Sequence, residues 1–208
     1  MPETFEAIAK KNKDFAFNKM SMTDSVYILV YPVGICAACS MAYIKSQRKD
    51  RGKTGFNYFG DWSSKTQEMR SETAIRKRMQ VIQDLMSPPM ASGQIKLINE
   101  RLTDNYKMRV TQNQDMANAT IAGIYQQTWH RGQGHYLLFM CEIVGKRQKN
   151  NHFMAISIGA DKCTFYDPNE GELGTKSDRF WDLLWEIMTK SWIKRYFPNN
   201  VTAIRGYY

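Results

Sequence analysis

Two cysteines, Cys36 and Cys39, lie where an apolar run meets a helix-like segment. A Pro/Gly break separates the two parts, so a helix is expected to start at Cys36. The unpaired backbone amides of its first turn and the helix dipole lower the pKa of a thiol there. The pattern predicts a nucleophilic cysteine, although a strand followed by Cys-x-x-Cys and a helix is also typical of a thioredoxin-like redox site.

A histidine and a carboxylate from the second half of the chain can complete a site around this thiol. His152 opens an alternating apolar segment, which turns at Ala160 and Asp161 into a second strand-like segment that contains Asp167. A hairpin with a two-residue turn places Asp167 opposite Met154 and diagonal to His152 on the same face, about 7 Å apart at the backbone. The side chains can span that distance. The pattern therefore predicts a histidine held by a carboxylate.

These three residue types form the nucleophile, base and orienting group of acyl transfer. Cys36 is expected to attack a carbonyl, His152 to take and return the proton, and Asp167 to hold the imidazole in orientation. The backbone amide of Cys36 is expected to receive the oxyanion. We therefore expect Cys36, His152 and Asp167 to be the catalytic residues.

The other two cysteines, Cys141 and Cys163, border apolar runs and are expected to be buried small hydrophobes. Neither has a close Cys or His partner, so a zinc site on Cys36 and Cys39 lacks its second ligand pair. The start of the chain also lacks the order of basic and then apolar residues of a cleaved signal peptide. We expect reduced thiols in a cytosol-like compartment, no metal and no cofactor.

The net charge of +9 comes from 29 Lys and Arg against 20 Asp and Glu, and part of it is concentrated in segments 45–53 and 146–149. Such charge suits an acidic surface or an anionic membrane, and it also suits a solvated helix end and loop. No nucleic-acid motif and no interleaving of aromatic and basic residues accompany it, so nucleic acid is not an expected partner.

A length of 208 residues fits one domain with its own core, and 43% hydrophobic residues is an ordinary globular composition. The longest apolar runs are strand-sized, which excludes an obvious membrane-spanning helix. Helical patterns cover 4–18, 36–49, 65–86, 94–102, 114–127 and 180–197. Strand patterns cover 26–31, 106–111, 136–144, 151–159, 162–166 and 201–208, and a long loop covers 51–64.

Two motifs resemble those of the YopT/AvrPphB-like cysteine proteases, a family of papain-like bacterial effectors. Segment 34–44, Gly-Ile-Cys-Ala-Ala-Cys-Ser-Met-Ala-Tyr-Ile, is similar to the family's Gly-x-Cys-x-Gly-Leu-Ser-x-x-Trp-Leu nucleophile helix. Segment 165–172, Phe-Tyr-Asp-Pro-Asn-Glu-Gly-Glu, is similar to its Phe-x-Asp-Pro-Asn-x-Gly-Glu, and His152 lies between them before an apolar strand.

The resemblance implies an α+β papain-like fold, with a nucleophile helix in a helical part packed on an antiparallel β-sheet. Residues 1–208 are then one catalytic domain, in which residues 1–25 can be an N-terminal extension. Papain-like enzymes also place a side-chain amide upstream of the nucleophile, and Asn18 is the nearest candidate here. Cys39 stands where the family has Leu, so it is the alternative nucleophile, but only Cys36 keeps the rest of the motif in register.

The function implied by the resemblance is that of a protease toxin or effector that cleaves a protein in the cytoplasm of a target cell. Its delivery would use a specialised secretion or contact-dependent system, and its further partners would be an immunity protein or a chaperone. A deamidase or transglutaminase is the nearest alternative, because it shares the thioester intermediate. A thioredoxin-like oxidoreductase, which needs both Cys36 and Cys39, and a noncatalytic binding protein are the alternatives from other classes.

Overall fold

The computed structural model describes residues 1–18, 36–50, 91–116, 119–144, 147–196 and 202–208. The strand predicted over 26–31, the loop over 51–64 and the helix over 65–86 lie outside the described residues. Most side chains of the basic segment 45–53 do so as well.

Five α-helices and seven β-strands are found in the described residues. The helices are α1 Phe5–Lys11, α2 Cys36–Asp50, α3 Ala91–Glu100, α4 Ile121–Thr128 and α5 Phe180–Lys190. The strands are β1 Ala16–Asn18, β2 Val110–Met116, β3 Gly134–Val144, β4 Arg147–Ile158, β5 Lys162–Asp167, β6 Gly171–Lys176 and β7 Thr202–Tyr207. Helix α2 is called the Cys36 helix below.

The strands form one antiparallel sheet in the order β1-β6-β5-β4-β3-β7-β2. Helices cover both faces of this sheet. Alternate side chains of β4 and β5 therefore enter two cores: Phe153 and Tyr166 pack with the Cys36 helix, whereas Met154 and Phe165 pack with α1 and α5. The mixed helical and antiparallel architecture confirms the expected α+β class.

The hairpin of β4 and β5 has the register predicted from the sequence. Ala155 pairs with Tyr166 and Ile158 with Cys163, and the N–H of Gly159 donates to the carbonyl of Lys162 at 2.9 Å. The turn therefore contains two residues, as its polar sequence between two apolar strands indicates. The same register places the end of β5 beside the beginning of the apolar part of β4.

The helix predicted over 114–127 is wrong in its first half. Residues from Val110 to Met116 form a strand whose side chains are alternately exposed and half-buried, and this strand pairs with β7. The helix begins only after Thr120, whose side-chain oxygen accepts the N–H of Gly123 at 3.0 Å. An N-cap threonine therefore marks the start of this helix, which the helical pattern over 114–127 placed too early.

Two terminal helices are shorter than predicted. The helix of segment 4–18 ends at Lys11, and β1 then pairs with β6. The helix predicted over 180–197 ends at Lys190, because Ser191 leaves the helical conformation with ψ 174°. Helix α5 is also not buried on every side, since Trp181 and Trp185 are 38% and 50% exposed.

Candidate active site

The Cys36 helix begins at Cys36 itself, as the Pro/Gly break predicted, and Cys36 is partly exposed. No acidic residue lies in the first turn of the helix, so no carboxylate there opposes a thiolate. Two backbone N–H groups reach the sulfur, one from Ala37 in the same turn and one from Phe153 on β4. The thiol therefore lies between the helix start and the sheet.

The pKa of the Cys36 thiol is lowered from its ordinary value of 9.0. Burial acts to raise it, but a hydrogen bond with His152 and the positive charge of that imidazole lower it, and so do the N–H groups of Phe153 and Ala37. The net direction is the one that a nucleophilic cysteine requires. The helix start contributes to this shift, with His152 as the larger favourable influence.

His152 and Asp167 form a buried pair beside this thiol. Nε2 of His152 lies 2.8 Å from Oδ1 of Asp167, and the two residues are 4% and 0% exposed. Because Nε2 is bound to the carboxylate, Nδ1 is the ring nitrogen that remains for Cys36. The structure thus brings the three predicted residues together in the order thiol, imidazole, carboxylate.

The turn that follows β5 holds Asp167 in place. Its Oδ1 also accepts the N–H of Asn169 at 2.8 Å, and its carbonyl accepts the N–H of Glu170 at 3.0 Å. Gly171 then returns the chain into β6 with φ 119°, a value that favours glycine. The Asp-Pro-Asn sequence therefore serves as a turn and as a support for the carboxylate at once.

The pKa of His152 is raised to about 10. Burial alone would lower it, but the charge and hydrogen bond of Asp167 raise it, and the contacts with Cys36 add to that effect. A thiol with a lowered pKa beside an imidazole with a raised pKa favours the thiolate and imidazolium pair over the neutral pair. A pair of this kind is the form that a nucleophilic cysteine requires.

An aromatic ring covers the imidazole. The ring centroid of Trp192 lies 5.2 Å from that of His152 at an interplanar angle of 64°, and Arg195 lies 4.7 Å from the Trp192 ring. The sequence prediction missed this residue, because the segment was expected to continue α5. The available signal was Ser191, a polar residue that interrupts an apolar helical pattern.

Cys39 has a different environment although it lies one turn after Cys36. It is 5% exposed, and its thiol is hydrogen-bonded to Tyr166. Burial, followed by the nearby charge of Cys36, raises the pKa of the Cys39 thiol. The two cysteines therefore differ in the pKa of the thiol, which decides reactivity, and the geometry favours Cys36 as the nucleophile.

The remaining predicted residues lie away from the thiol or outside the described residues. Asn18 donates from Nδ2 to Glu172 at 2.9 Å, so its amide belongs to a buried polar group. Cys163 is fully buried, as predicted, whereas the side chain of Cys141 is not among those described. Nδ1 of His135 is hydrogen-bonded to Oγ of Ser157 near the other end of β4.

Within the described ranges, no group of three His, Cys, Asp or Glu side chains is arranged to hold a metal ion. Among the described residues, none of the helices combines the length and the hydropathy of a membrane-spanning segment. In the basic segment 45–53 the structure describes the side chain of Lys45, whose Nζ lies 4.0 Å from the ring centroid of Tyr106.

Comparison with known proteins identifies the family. The family model Peptidase_C58, described as Yersinia/Haemophilus virulence surface antigen, matches residues 7–200. No curated protein sequence matches the chain.

The solved structures that are similar to this chain include two proteins of bacterial pathogens. The Pseudomonas avirulence protein AvrPphB aligns with a TM-score of 0.55 at 16% identity, over 85% of this chain and 93% of that chain. The YopT domain of the Pasteurella multocida PfhB2 toxin aligns over 90% of both chains at 14% identity, with a TM-score of 0.35. The AvrPphB alignment confirms the expected papain-like fold. The chain therefore belongs to the C58 peptidase family of papain-like cysteine proteases, which are virulence effectors of bacteria.

Proposed function

We propose that this protease uses Cys36 as nucleophile, His152 as general base and acid, and Asp167 as the group that orients the imidazole. The observation that carries the proposal is the buried hydrogen-bonded series from the Cys36 thiol through His152 to Asp167. The pKa directions of Cys36 and His152 also support the proposal, because they favour the reactive ion pair.

The reaction follows from this arrangement. The thiolate sulfur attacks the carbonyl carbon of the scissile amide, and negative charge develops on the carbonyl oxygen. We expect the backbone N–H of Cys36, which has no acceptor within its own helix, to receive that charge. The imidazolium of His152 then protonates the leaving amine, the thioester forms, and His152 accepts a proton from the water that hydrolyses it.

The substrate is a protein, and we propose that it lies in the cytoplasm of a target cell that the effector reaches through a specialised delivery system. The family assignment supports this proposal, since its members are bacterial virulence proteins. An immunity protein or a chaperone that masks the site before delivery would be consistent with the same route. The excess of basic residues favours an acidic protein surface or an anionic membrane as the place of docking.

The test is the appearance of new protein termini. Target-cell lysate is incubated with wild type, Cys36→Ala, Cys39→Ala or His152→Ala, and new N-termini are labelled and identified by mass spectrometry. We expect new termini with wild type and Cys39→Ala, and none with the other two variants. Glutamine deamidation or cross-linking without new termini would replace proteolysis by a related acyl transfer, whereas equal dependence on both cysteines without His152 would favour redox chemistry.

A further inference from the structure

Behind the thiol, the Cys36 helix is attached to the sheet through one buried carboxylate. Glu172 on β6 is 1% exposed and receives hydrogen bonds from two residues of that helix. Its Oε2 accepts from the hydroxyl of Tyr43 at 2.6 Å and from Nε2 of Gln47 at 3.4 Å. On the other side, Oε1 accepts from Asn18 at 2.9 Å and lies 3.7 Å from Nζ of Lys162.

The two helix residues share a face with the nucleophile. Tyr43 and Gln47 follow Cys36 by two and three helical turns, so all three side chains project from one side of the helix. Tyr43 lies about 10 Å along the helix axis from Cys36 at 1.5 Å per residue. A displacement at Tyr43 is therefore transmitted by a rigid element to the thiol.

Tyr43 also contacts the strand that carries Asp167. Its ring stacks on Tyr166 with centroids 4.4 Å apart and an interplanar angle of 6°. Tyr166 pairs with Glu172 across β5 and β6, and it precedes Asp167 in the chain. One tyrosine thus touches two neighbours on adjacent strands, immediately beside the carboxylate that orients His152.

The hydrogen-bond directions require a carboxylate at this point. The single hydroxyl proton of Tyr43 goes to Glu172, so the hydroxyl of Thr164, 2.6 Å away, donates to the Tyr43 oxygen. Burial and then the charge of Glu172 raise the pKa of Tyr43 well above its ordinary value, which keeps it a neutral donor. Since donors approach both oxygens of Glu172, an amide there would place its NH₂ against one of them.

We propose that Glu172 is a positioning residue, whose buried carboxylate fixes the Cys36 helix against β5 through Tyr43 and so sets the distance between the Cys36 thiol and His152. This inference rests on the proposed function. It assigns Glu172 and Tyr43 a role in the reactivity of a thiol that neither residue touches. It also gives a chemical reason for a fully buried acid behind the site, where an apolar residue would pack without the cost of burying a charge.

The experiment measures alkylation of Cys36 by iodoacetamide at pH 6, where an ordinary thiol is protonated. Tyr43→Phe removes one oxygen and keeps the stacked ring, and Glu172→Gln keeps the size of the side chain. Tyr136→Phe is the matched control, because its hydroxyl donates to the carbonyl of Gly132 at 2.8 Å on the other side of the sheet. Thermal unfolding of each variant reports its stability, and mass spectrometry assigns the label to Cys36.

We expect Tyr43→Phe and Glu172→Gln to slow alkylation at least about tenfold, since a displacement of about 1 Å can cost a reacting pair roughly 100-fold. Tyr136→Phe should keep the wild-type alkylation rate even if its unfolding temperature falls as far as that of Tyr43→Phe. A wild-type alkylation rate in Tyr43→Phe, together with lowered stability, would overturn this inference and leave the proposed triad intact. Slow alkylation of the wild type itself would contradict the proposed triad and this inference with it. If Glu172→Gln does not fold, the alkylation rate of Tyr43→Phe decides whether the inference holds.

Discussion

At the scale of single residues, the two cysteines three positions apart illustrate how environment separates identical side chains. Cys36 is partly exposed with a lowered pKa, and Cys39 is buried with a raised one. The two pKa values differ because the side chains point in different directions. Cys36 faces His152, whereas Cys39 faces Tyr166 within the core. Their substitutions should therefore have very different consequences.

Cys36→Ala should lower the rate of cleavage by roughly a million-fold, the usual effect of deleting a nucleophile. Cys39→Ala should keep most of the activity, because the Cys39 thiol takes no part in the reaction and loses only packing and a weak hydrogen bond. The yield of labelled new N-termini per mole of enzyme measures both. Activity that survives Cys36→Ala and disappears in Cys39→Ala would move the nucleophile to the second cysteine.

Asp167→Asn should lower the rate of cleavage by about 10²-fold to 10⁴-fold, because an amide orients the imidazole less well and does not stabilise its charge. The turn should persist, since the Asn oxygen can still accept the N–H of Asn169. Far-UV circular dichroism checks the fold beside the cleavage assay. A rate within twofold of wild type would remove Asp167 from the proposed triad.

The pairing of His152 with Asp167 was predictable from the sequence, because strand periodicity and a two-residue turn determine which side chains share a face. The position of Trp192 was not predictable in the same way. Its approach to His152 follows from the end of α5 at Lys190 and from the short 3-10 helix Trp192–Tyr196 that comes next. Five residues are too few to set an apolar period that indicates where their side chains point.

At the scale of elements, the segment after α5 covers the site and the helix itself does not. Trp192 packs on His152, while Trp185 on the helix is half exposed. These two tryptophans belong to adjacent parts of the chain and have unequal access to the imidazole. They form a natural pair for testing what the covering ring does.

Trp192→Ala should admit water to the His152 and Asp167 pair, which reduces both the burial that lowers the pKa of His152 and the attraction of Asp167 and Cys36 that raises it. Because the raising influences outweigh burial in the folded protein, the net change should lower the pKa of His152 from about 10 toward its ordinary 6.5. Because the protonated imidazole is needed for the leaving group, the alkaline limb of the activity profile should move to lower pH. Cleavage measured from pH 5 to 11 tests this shift. Trp185→Ala is the control and should keep the wild-type profile; an unchanged limb in Trp192→Ala would contradict the covering role.

Several elements were predictable because their patterns are strong. The Cys36 helix and strands β3, β4, β5 and β7 follow an apolar period or a clear break, and their predicted positions are confirmed within a few residues. Strand β2 was misassigned because its polar, alternately exposed sequence has little hydrophobic contrast. Strand β6 was overlooked because its short Gly-Glu-Leu-Gly sequence forms a strand only through pairing on both sides.

At the scale of the whole molecule, the N-terminal segment is part of the fold on which the site rests. Phe5 is fully buried and meets Phe165 of β5 with ring centroids 6.1 Å apart in an edge-to-face contact. The N–H of Phe5 also donates to Glu170 in the turn after Asp167. These contacts favour our proposal that residues 1–208 form one catalytic domain.

Phe5→Ala should destabilise the protein by about 3–5 kcal/mol, the usual cost of a large cavity in a packed core. Equilibrium urea unfolding measures this loss. Lys10→Ala in the same helix is the control, because its side chain is exposed and its ion pair with Glu6 lies at the surface. Equal stability of both variants would indicate that the first residues are a dispensable extension.

The fold class was predictable from the change between helical and strand patterns along the chain, but the order of the sheet was not. Strands β2 and β7 are at least 86 residues apart along the chain where they pair, from Met116 to Thr202, and β1 returns to β6 over a still longer separation. Such pairings depend on the sum of packing across the molecule, and no local sequence pattern records them.

The proposed mechanism depends on a thiolate and imidazolium pair of Cys36 and His152, and such a pair determines how the rate of Cys36 alkylation changes with pH. We predict a first rise in rate below pH 8.5, as the thiol with its lowered pKa ionises, and a second step near pH 10, as His152 loses its proton. His152→Ala should show one rise, shifted to higher pH. A single rise near pH 8.5 to 9 in both proteins would contradict the ion pair and the mechanism built on it.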